Sequence, residues 1–240
     1  MIMGTKGFTF YYSGCVKGPD FSKNYKEIFD KLGIRYITLD KEKFTCGSTI
    51  HELGYKKEFR SLVIKNEEIL KNYRINKIIT SCSQCYYILK KIYPEFLRNF
   101  NIEIEHASVI ILRALKKKKI NFRESEEKRT LVGYQDPCYL GRYCNIYEEP
   151  RQIIEILGGK ILEFDDNRNR AICCGAGGGV YLNQPFLSKD IARKRVNRLD
   201  KKASKLITPC NLCYISLSSA TENSEELSTF IINKLNELKV

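Results

Sequence analysis

Long apolar runs are missing from this 240-residue chain. No stretch reaches the roughly 20 residues that a membrane helix needs, and the N-terminus lacks a signal-peptide pattern. A chain without a membrane span, in the cytoplasm, is therefore expected. No helix-turn-helix, RNP or zinc-finger pattern accompanies the formal net charge of +13. The lysines are spread along helical patterns, so the charge reads as a solvated basic face and nucleic acid is not expected as a partner. No Ser/His/Asp or paired-carboxylate arrangement stands out. Hydrophobic content of 43% and charged content of 29% are those of a globular protein with a real core. Against these absences stand ten cysteines. In a reducing compartment they read as ligands or catalysts rather than as a disulfide framework.

The organising stretch is Ala171-Ile172-Cys173-Cys174-Gly175-Ala176-Gly177-Gly178-Gly179. Adjacent cysteines do not easily bond to each other, but both can face one inorganic centre while glycines wrap the backbone around it. The run lacks the lysine and Ser/Thr of a phosphate loop and the Gly-x-Gly-x-x-Gly spacing of a dinucleotide fold. Metal–sulfur chemistry is the better reading.

In chain order, residues 8–12 form an aromatic strand that ends at Ser13-Gly14-Cys15. A helix over 21–32 closes at Gly33, a strand over 35–39 follows, and then Thr45-Cys46-Gly47. A helix over 56–72 leads to a strand at 77–80 and to Cys82-Ser83-Gln84-Cys85, with a helix over 86–91 behind it. A strand at 102–105 ends at His106, a helix covers 109–115, and residues 116–129 are almost purely charged, which marks a domain boundary. The second half repeats the scheme. A strand at 131–134 ends at Asp136-Pro137-Cys138, and a helix over 146–157 and a strand over 160–164 precede Cys173-Cys174-Gly175. A helix over 185–199 and a strand at 205–208 then lead to Cys210-Asn211-Leu212-Cys213. Cys46, Cys82 and Cys85 recur as Cys174, Cys210 and Cys213, each 128 residues on (174 − 46, 210 − 82, 213 − 85), while Cys138 follows Cys15 by 123. A shared offset for three cysteines establishes an internal duplication.

Each half thus offers a cysteine after its first strand, a Cys-Gly turn and a Cys-x-x-Cys. Four such thiolates suit zinc or an iron–sulfur cluster. The second half brings five, Cys138, Cys173, Cys174, Cys210 and Cys213, and tetrahedral zinc has no use for the fifth. A zinc-stabilised scaffold remains the remote alternative.

One Cys, then Cys-Cys-Gly, then Cys-x-x-Cys, twice over, resembles the CCG (cysteine-rich) domain family. That family includes heterodisulfide reductase B and D subunits and the iron–sulfur subunits of glycolate and lactate oxidation complexes. Asp136-Pro137-Cys138-Tyr139-Leu140-Gly141-Arg142 and the stretch from Ile172 to Gly179 match especially closely, and the likeness covers nearly the whole chain. It implies an α/β fold of two pseudo-twofold-related CCG domains, residues 1–120 and 130–240, each a small parallel sheet flanked by helices. It implies two [4Fe-4S] clusters. The second-half cluster would be noncubane, held by the five cysteines above. The first half, with Thr45 where a cysteine is expected, keeps Cys15, Cys46, Cys82 and Cys85, which suit a cubane or variant cluster.

The activity implied is thiol–disulfide redox on a small thiol or disulfide, with Cys173 and Cys174 at its centre. Electrons would come from a ferredoxin-type iron–sulfur subunit and a flavoprotein subunit of a larger complex, since no Cys-x-x-Cys-x-x-Cys segment is seen. The alternative is an electron-transfer subunit of a flavin-dependent 2-hydroxyacid dehydrogenase. Gly14, Gly47, Gly175 and Gly177 are the glycines expected against the clusters. His106 has two open roles, a hydrogen bond to cluster sulfur or substrate, or structure. His51 reads as packing, Cys144 as a free thiol. Arg142 reads as a holder of an anion or as the ion-pair partner of Glu148 or Glu149.

Overall fold

The computed structural model describes residues 7–14, 20–40, 43–120 and 129–238. Two parallel sheets organise it. The first has the order β1 (Phe8–Tyr12), β2 (Ile75–Thr80), β3 (Glu103–His106), with Phe10 opposite Ile78 and Thr80 opposite His106. The second has the order β5 (Gly159–Leu162), β4 (Thr130–Tyr134), β6 (Lys205–Thr208), β7 (Ser224–Glu226), with Thr208 opposite Glu226. Parallel strands need crossovers, which the helices supply. These are α1 (Ser22–Leu32), α2 (Ser48–Glu52), α3 (Lys56–Asn72), α4 (Ser83–Tyr87), α5 (Tyr93–Phe96) and α6 (Ala107–Lys117) in the first half. The second half has α7 (Glu148–Ile156), α8 (Val180–Asn183), α9 (Pro185–Val196), α10 (Asn211–Ser218) and α11 (Leu227–Glu237).

Alternation along the strands sends side chains to two different cores. Phe10, Tyr12 and Ile78 face α3 and the helices after Cys82, whereas Tyr11 and Ile79 face α1 and α6. Leu206 faces the Cys173–Cys174 side, while Ile207 joins Tyr11 and Ile79 in a core common to both halves. That common core is built by α1 and α6 on one side and α7 and α11 on the other. In it α1 meets α11 and α6 meets α7, two contacts that interchange when the halves are swapped. A pair of ion pairs repeats in the same way: Lys77 with Glu105, and Lys205 with Glu225.

Two differences from the sequence-based expectation have physical reasons. The strand expected over 35–39 is a single bridge, Ile37 to Phe10, where the second half has the complete strand β5. The helix expected over 86–91 starts at Ser83 and contains a π turn at Ile88–Ile92 before α5. Pro94 lacks an N–H and its ring crowds the carbonyl four residues back, so a wider turn before it relieves the clash. The charged 116–129 stretch begins within α6, and residues 121–128 lie outside the described residues. Among the described residues no helix is long and apolar enough to cross a membrane.

Candidate functional site

All described cysteines except Cys144 lie at the carboxyl edge of a sheet, where parallel α/β sheets gather ligands. Cys82 caps α4 directly after β2, and Cys85 follows one turn later on the same helical face. Cys210 and Cys213 repeat this on α10 after β6. Cys46 is pinned through its backbone: its amide donates to the Tyr12 hydroxyl and its carbonyl accepts from Tyr93, at 3.2 Å each. Asn66 holds the same turn through the Thr45 carbonyl at 2.7 Å. The result is a Cys46–Cys85 sulfur contact of 3.1 Å. Cys15, the first ligand expected of this half, lies outside the described residues.

The second half forms a run of five thiols. Neighbouring thiols interact in sequence, Cys138 with Cys173, Cys173 with Cys174, Cys174 with Cys213 and Cys213 with Cys210. Protons are divided unevenly along it. The neighbouring Cys138 and Cys174 thiols hold the Cys173 thiol well below its ordinary range, and Cys213 lowers Cys210. Cys138, Cys174 and Cys213 are pushed up, first by donating to their neighbours and then by burial. Among the described residues no group of three or more Cys, His, Asp or Glu is arranged for a single metal ion. An extended run of sulfurs suits a multi-iron, sulfide-bridged centre.

Glycines make room for this chemistry. Gly14 has φ +105°, and a Cβ there would stand 2.7 Å from the Cβ of Cys82. Gly175 has φ +90°, and its Cβ would meet the Ser188 carbonyl at 3.0 Å. At the other two expected glycines, a Cβ on Gly47, which starts α2, would meet Leu62 and Phe59, and one on Gly177 would meet the Tyr139 ring. Thr45 is exposed where Cys173 is half-buried, so it supplies no substitute for a fifth thiol.

The two cysteine sets adjoin one another. Ser83, inside the first Cys-x-x-Cys, donates to the Pro209 carbonyl at 2.9 Å and also touches Cys210. Tyr139, next to Cys138, donates to Glu52, which also accepts from Gln84 at 2.6 Å. Tyr139 further groups with Tyr87 and Tyr143 at ring separations of 5.1 to 5.6 Å.

The structure revises several single-residue expectations. Arg142 pairs with neither Glu148 nor Glu149; it donates to the carbonyls of Ala171 and Asn169, at 2.9 and 3.2 Å, and fixes the loop before Cys173. Glu148 belongs instead to Arg168. His106 is fully buried, and its Nδ1 accepts from the Ser108 amide that opens α6. The proton therefore sits on Nε2. Burial pushes this imidazole down to about 3, against a weaker backbone interaction with Ser81, so it is neutral. His51 packs edge-on to Phe59. Cys144 is half-buried and pushed up to about 11 by burial.

Two buried arginines, Arg151 and Arg195, lie outside every motif of the sequence. Arg151 makes a bidentate pair with Asp136 at 2.7 Å and reaches Glu163 at 2.6 Å. Arg195 bonds Gln135 and Asp166 and stacks on Phe164. Together they clamp the Asp136-Pro137-Cys138 turn. Their only sequence signal was position on the helix face that also carries Ile154 or Ala192.

The D subunit of the dihydromethanophenazine:CoB–CoM heterodisulfide reductase of Methanosarcina acetivorans is 30% identical over 228 residues, covering 89% of this chain and 54% of that protein. EtfAB:quinone oxidoreductase of Syntrophomonas wolfei is 29% identical over 231 residues, 89% of this chain and 31% of that protein. The chain thus spans from just under a third to about half of the length of these relatives. Glutamate racemase isoform RacE1 of Bacillus anthracis aligns with 96% of this chain and 80% of its own, at 15% identity and a TM-score of 0.41, a likeness too weak to carry a conclusion. The cysteine-rich domain (CCG) model matches residues 9–90 and 132–218, so both halves are copies of one unit and the chain belongs to the CCG cysteine-rich domain family.

Proposed function

We propose that the chain is an iron–sulfur subunit of an oxidoreductase complex, built as two CCG units over residues 1–120 and 130–240. In this reading it performs heterodisulfide-reductase-like thiol–disulfide redox at its second-half site. The observation that carries the proposal is the connected run of Cys138, Cys173, Cys174, Cys213 and Cys210 against a glycine turn. These five would hold one [4Fe-4S] cluster, of the noncubane kind that a fifth thiolate permits. Cys46, Cys82 and Cys85, with Cys15, would hold a second of ordinary type. Bound there, such clusters supply one-electron transfer, which lets a two-electron disulfide cleavage proceed in single steps. The chain's own groups orient the second site: Arg142 fixes the loop before Cys173, and Ser216 holds the Cys174 carbonyl at 2.6 Å. Cys138 and Cys173 are half-buried while Cys174, Cys210 and Cys213 are buried, so a small thiol would approach from the Cys138–Cys173 side.

One observation favours a second reading, an electron-transfer subunit for a flavin-dependent 2-hydroxyacid dehydrogenase. Cys46, Cys82 and Cys85 are all buried, and this site has no fifth thiol. A site whose described thiols are all buried would relay electrons without meeting substrate. Iron and acid-labile sulfide on anaerobically purified protein, followed by EPR with and without added thiol, separate the readings. About eight irons and a thiol-responsive oxidised signal are expected for the first. About eight irons and no thiol response would establish the relay, and zinc in place of iron would end both. Cys173→Ser should abolish the thiol-responsive signal and leave the first cluster's signal in place.

A further inference from the structure

Large apolar side chains stand in solvent where the chain leaves each Cys-Gly turn. In the second half Leu182 is 75% and Phe186 90% exposed, on α8 and at the start of α9. In the first half Leu53 and Tyr55 are each 57% exposed, between α2 and α3. Tyr181, also exposed, follows Leu53 by 128 residues (181 − 53), the offset that relates the cysteines. One residue of each apolar step therefore holds the same place in the repeat. They are connected across the seam between the halves: Leu53 follows Glu52, Glu52 accepts from Tyr139, and the Tyr139 ring covers Gly177 just before α8. Exposed Tyr143 adds its ring beside Tyr139. Scattered exposed leucines are ordinary, whereas apolar groups gathered beside a functional site mark a contact surface.

Cations border both steps. Lys56, Lys57 and Arg60 on α3, and Lys189 and Lys194 on α9, are exposed and form no ion pair among the described residues, and they outnumber the exposed Glu58 between them on α3. The Asp190–Arg193 pair on α9 is neutral. Two copies of this face brought together would oppose like charges, a cost that disfavours self-association. An acidic rim turns the same charges into attraction and faster encounter.

We infer that this face is the docking surface for a separate redox protein with an apolar centre and an acidic rim, which exchanges electrons with the cysteine sites beneath. One electron at a time leaves the reduced carrier and enters this chain; no bond is made or broken in that step. The surface is argued from exposure and charge alone, while the occupant's identity as an electron carrier rests on the iron–sulfur reading above.

The test uses the anaerobically purified protein and, as probe, an acidic two-cluster [4Fe-4S] ferredoxin, titrated calorimetrically at low and at high salt. Binding is expected at low salt and should weaken at least tenfold at high salt. Leu182→Ser with Phe186→Ser should weaken it at least tenfold at low salt, and Lys189→Glu with Lys194→Glu should do the same while flattening the salt dependence. Iron content and melting temperature should be unchanged in both. No binding at low salt, or binding that both double variants retain, overturns the inference. So does a dimer in sedimentation that the Leu182/Phe186 variant disperses, because the face would then be closed by a second copy. Capture of a nucleic acid duplex with no sensitivity to the Leu182/Phe186 change likewise overturns it. An iron-free parent protein would overturn the iron–sulfur reading, and the same titrations would still decide whether the surface binds the acidic probe.

Discussion

Glu226 and His106 end equivalent strands, β7 and β3, and each caps the next helix by accepting from the amide of a serine two residues on, Ser228 or Ser108. Glu226 also accepts from the Tyr25 hydroxyl at 2.7 Å. Burial, only partly offset by these hydrogen bonds, pushes its carboxyl up to about 7. The folded state therefore binds a proton between pH ~4.5 and ~7 that the unfolded chain has released, and stability falls as pH rises through that window. Glu226→Gln should remove the fall, and at pH 8 should gain up to about 3 kcal/mol over the parent. Urea unfolding at pH 5 and pH 8 checks this; equal slopes with pH for both proteins would refute it. Arg151 gives the opposite kind of prediction. Its side chain and that of Asp136 are 3% and 2% exposed, so Arg151→Met leaves a buried, unpaired carboxylate. A loss of about 3–5 kcal/mol is expected, read from the same denaturation curves.

At the scale of elements, strand–turn–helix units deliver the cysteines, and glycine at each turn decides whether they can. Gly14→Ala must place a Cβ against Cys82 in a left-handed conformation, and Gly175→Ala must do so against Ser188 and Ile191. Each should cost about 1–3 kcal/mol in local strain and impair one site only. Iron counts and EPR on the two variants should show opposite losses, the first-half signal in Gly14→Ala and the second-half signal in Gly175→Ala. Loss of both signals in either variant would contradict that separation. These turns were legible in the sequence because cysteine and glycine spacing repeats with the strands. Other elements were not. Residues 35–39 have strand-like residues yet pair only at Ile37, while the equivalent β5 gains a full ladder with β4. The last strand and helix, β7 and α11, carry no comparable signal, because β7 has only three residues and two of them are Glu225 and Glu226. In the fold one pairs with Lys205 and the other caps α11. Arg151 and Arg195 were hidden too: a charge is buried only when its partners, distant in sequence, are known.

For the whole molecule, the decisive fact is that one core belongs to both halves. Tyr11, Ile79, Ile111 and Leu115 pack in the same cluster as Tyr134, Ile154, Ile207 and Ile231. Neither half can bury its α1–α6 or α7–α11 face without the other, although each has its own sheet and its own cysteine set. Ser83 on Pro209 and Tyr139 on Glu52 then depend on that core for their alignment, since both bonds cross between the halves. The chain should accordingly unfold as one cooperative unit. Ile111→Ala, at a fully buried position on α6, removes contacts on both sides of the shared layer and should cost about 2–5 kcal/mol. Hydrogen exchange is the measurement that discriminates. If the halves are one unit, the slowest amides of β2 and of β6 lose protection by the same amount in this variant. If they are independent domains that merely touch, β2 loses protection and β6 keeps it, and the thermal transition splits in two.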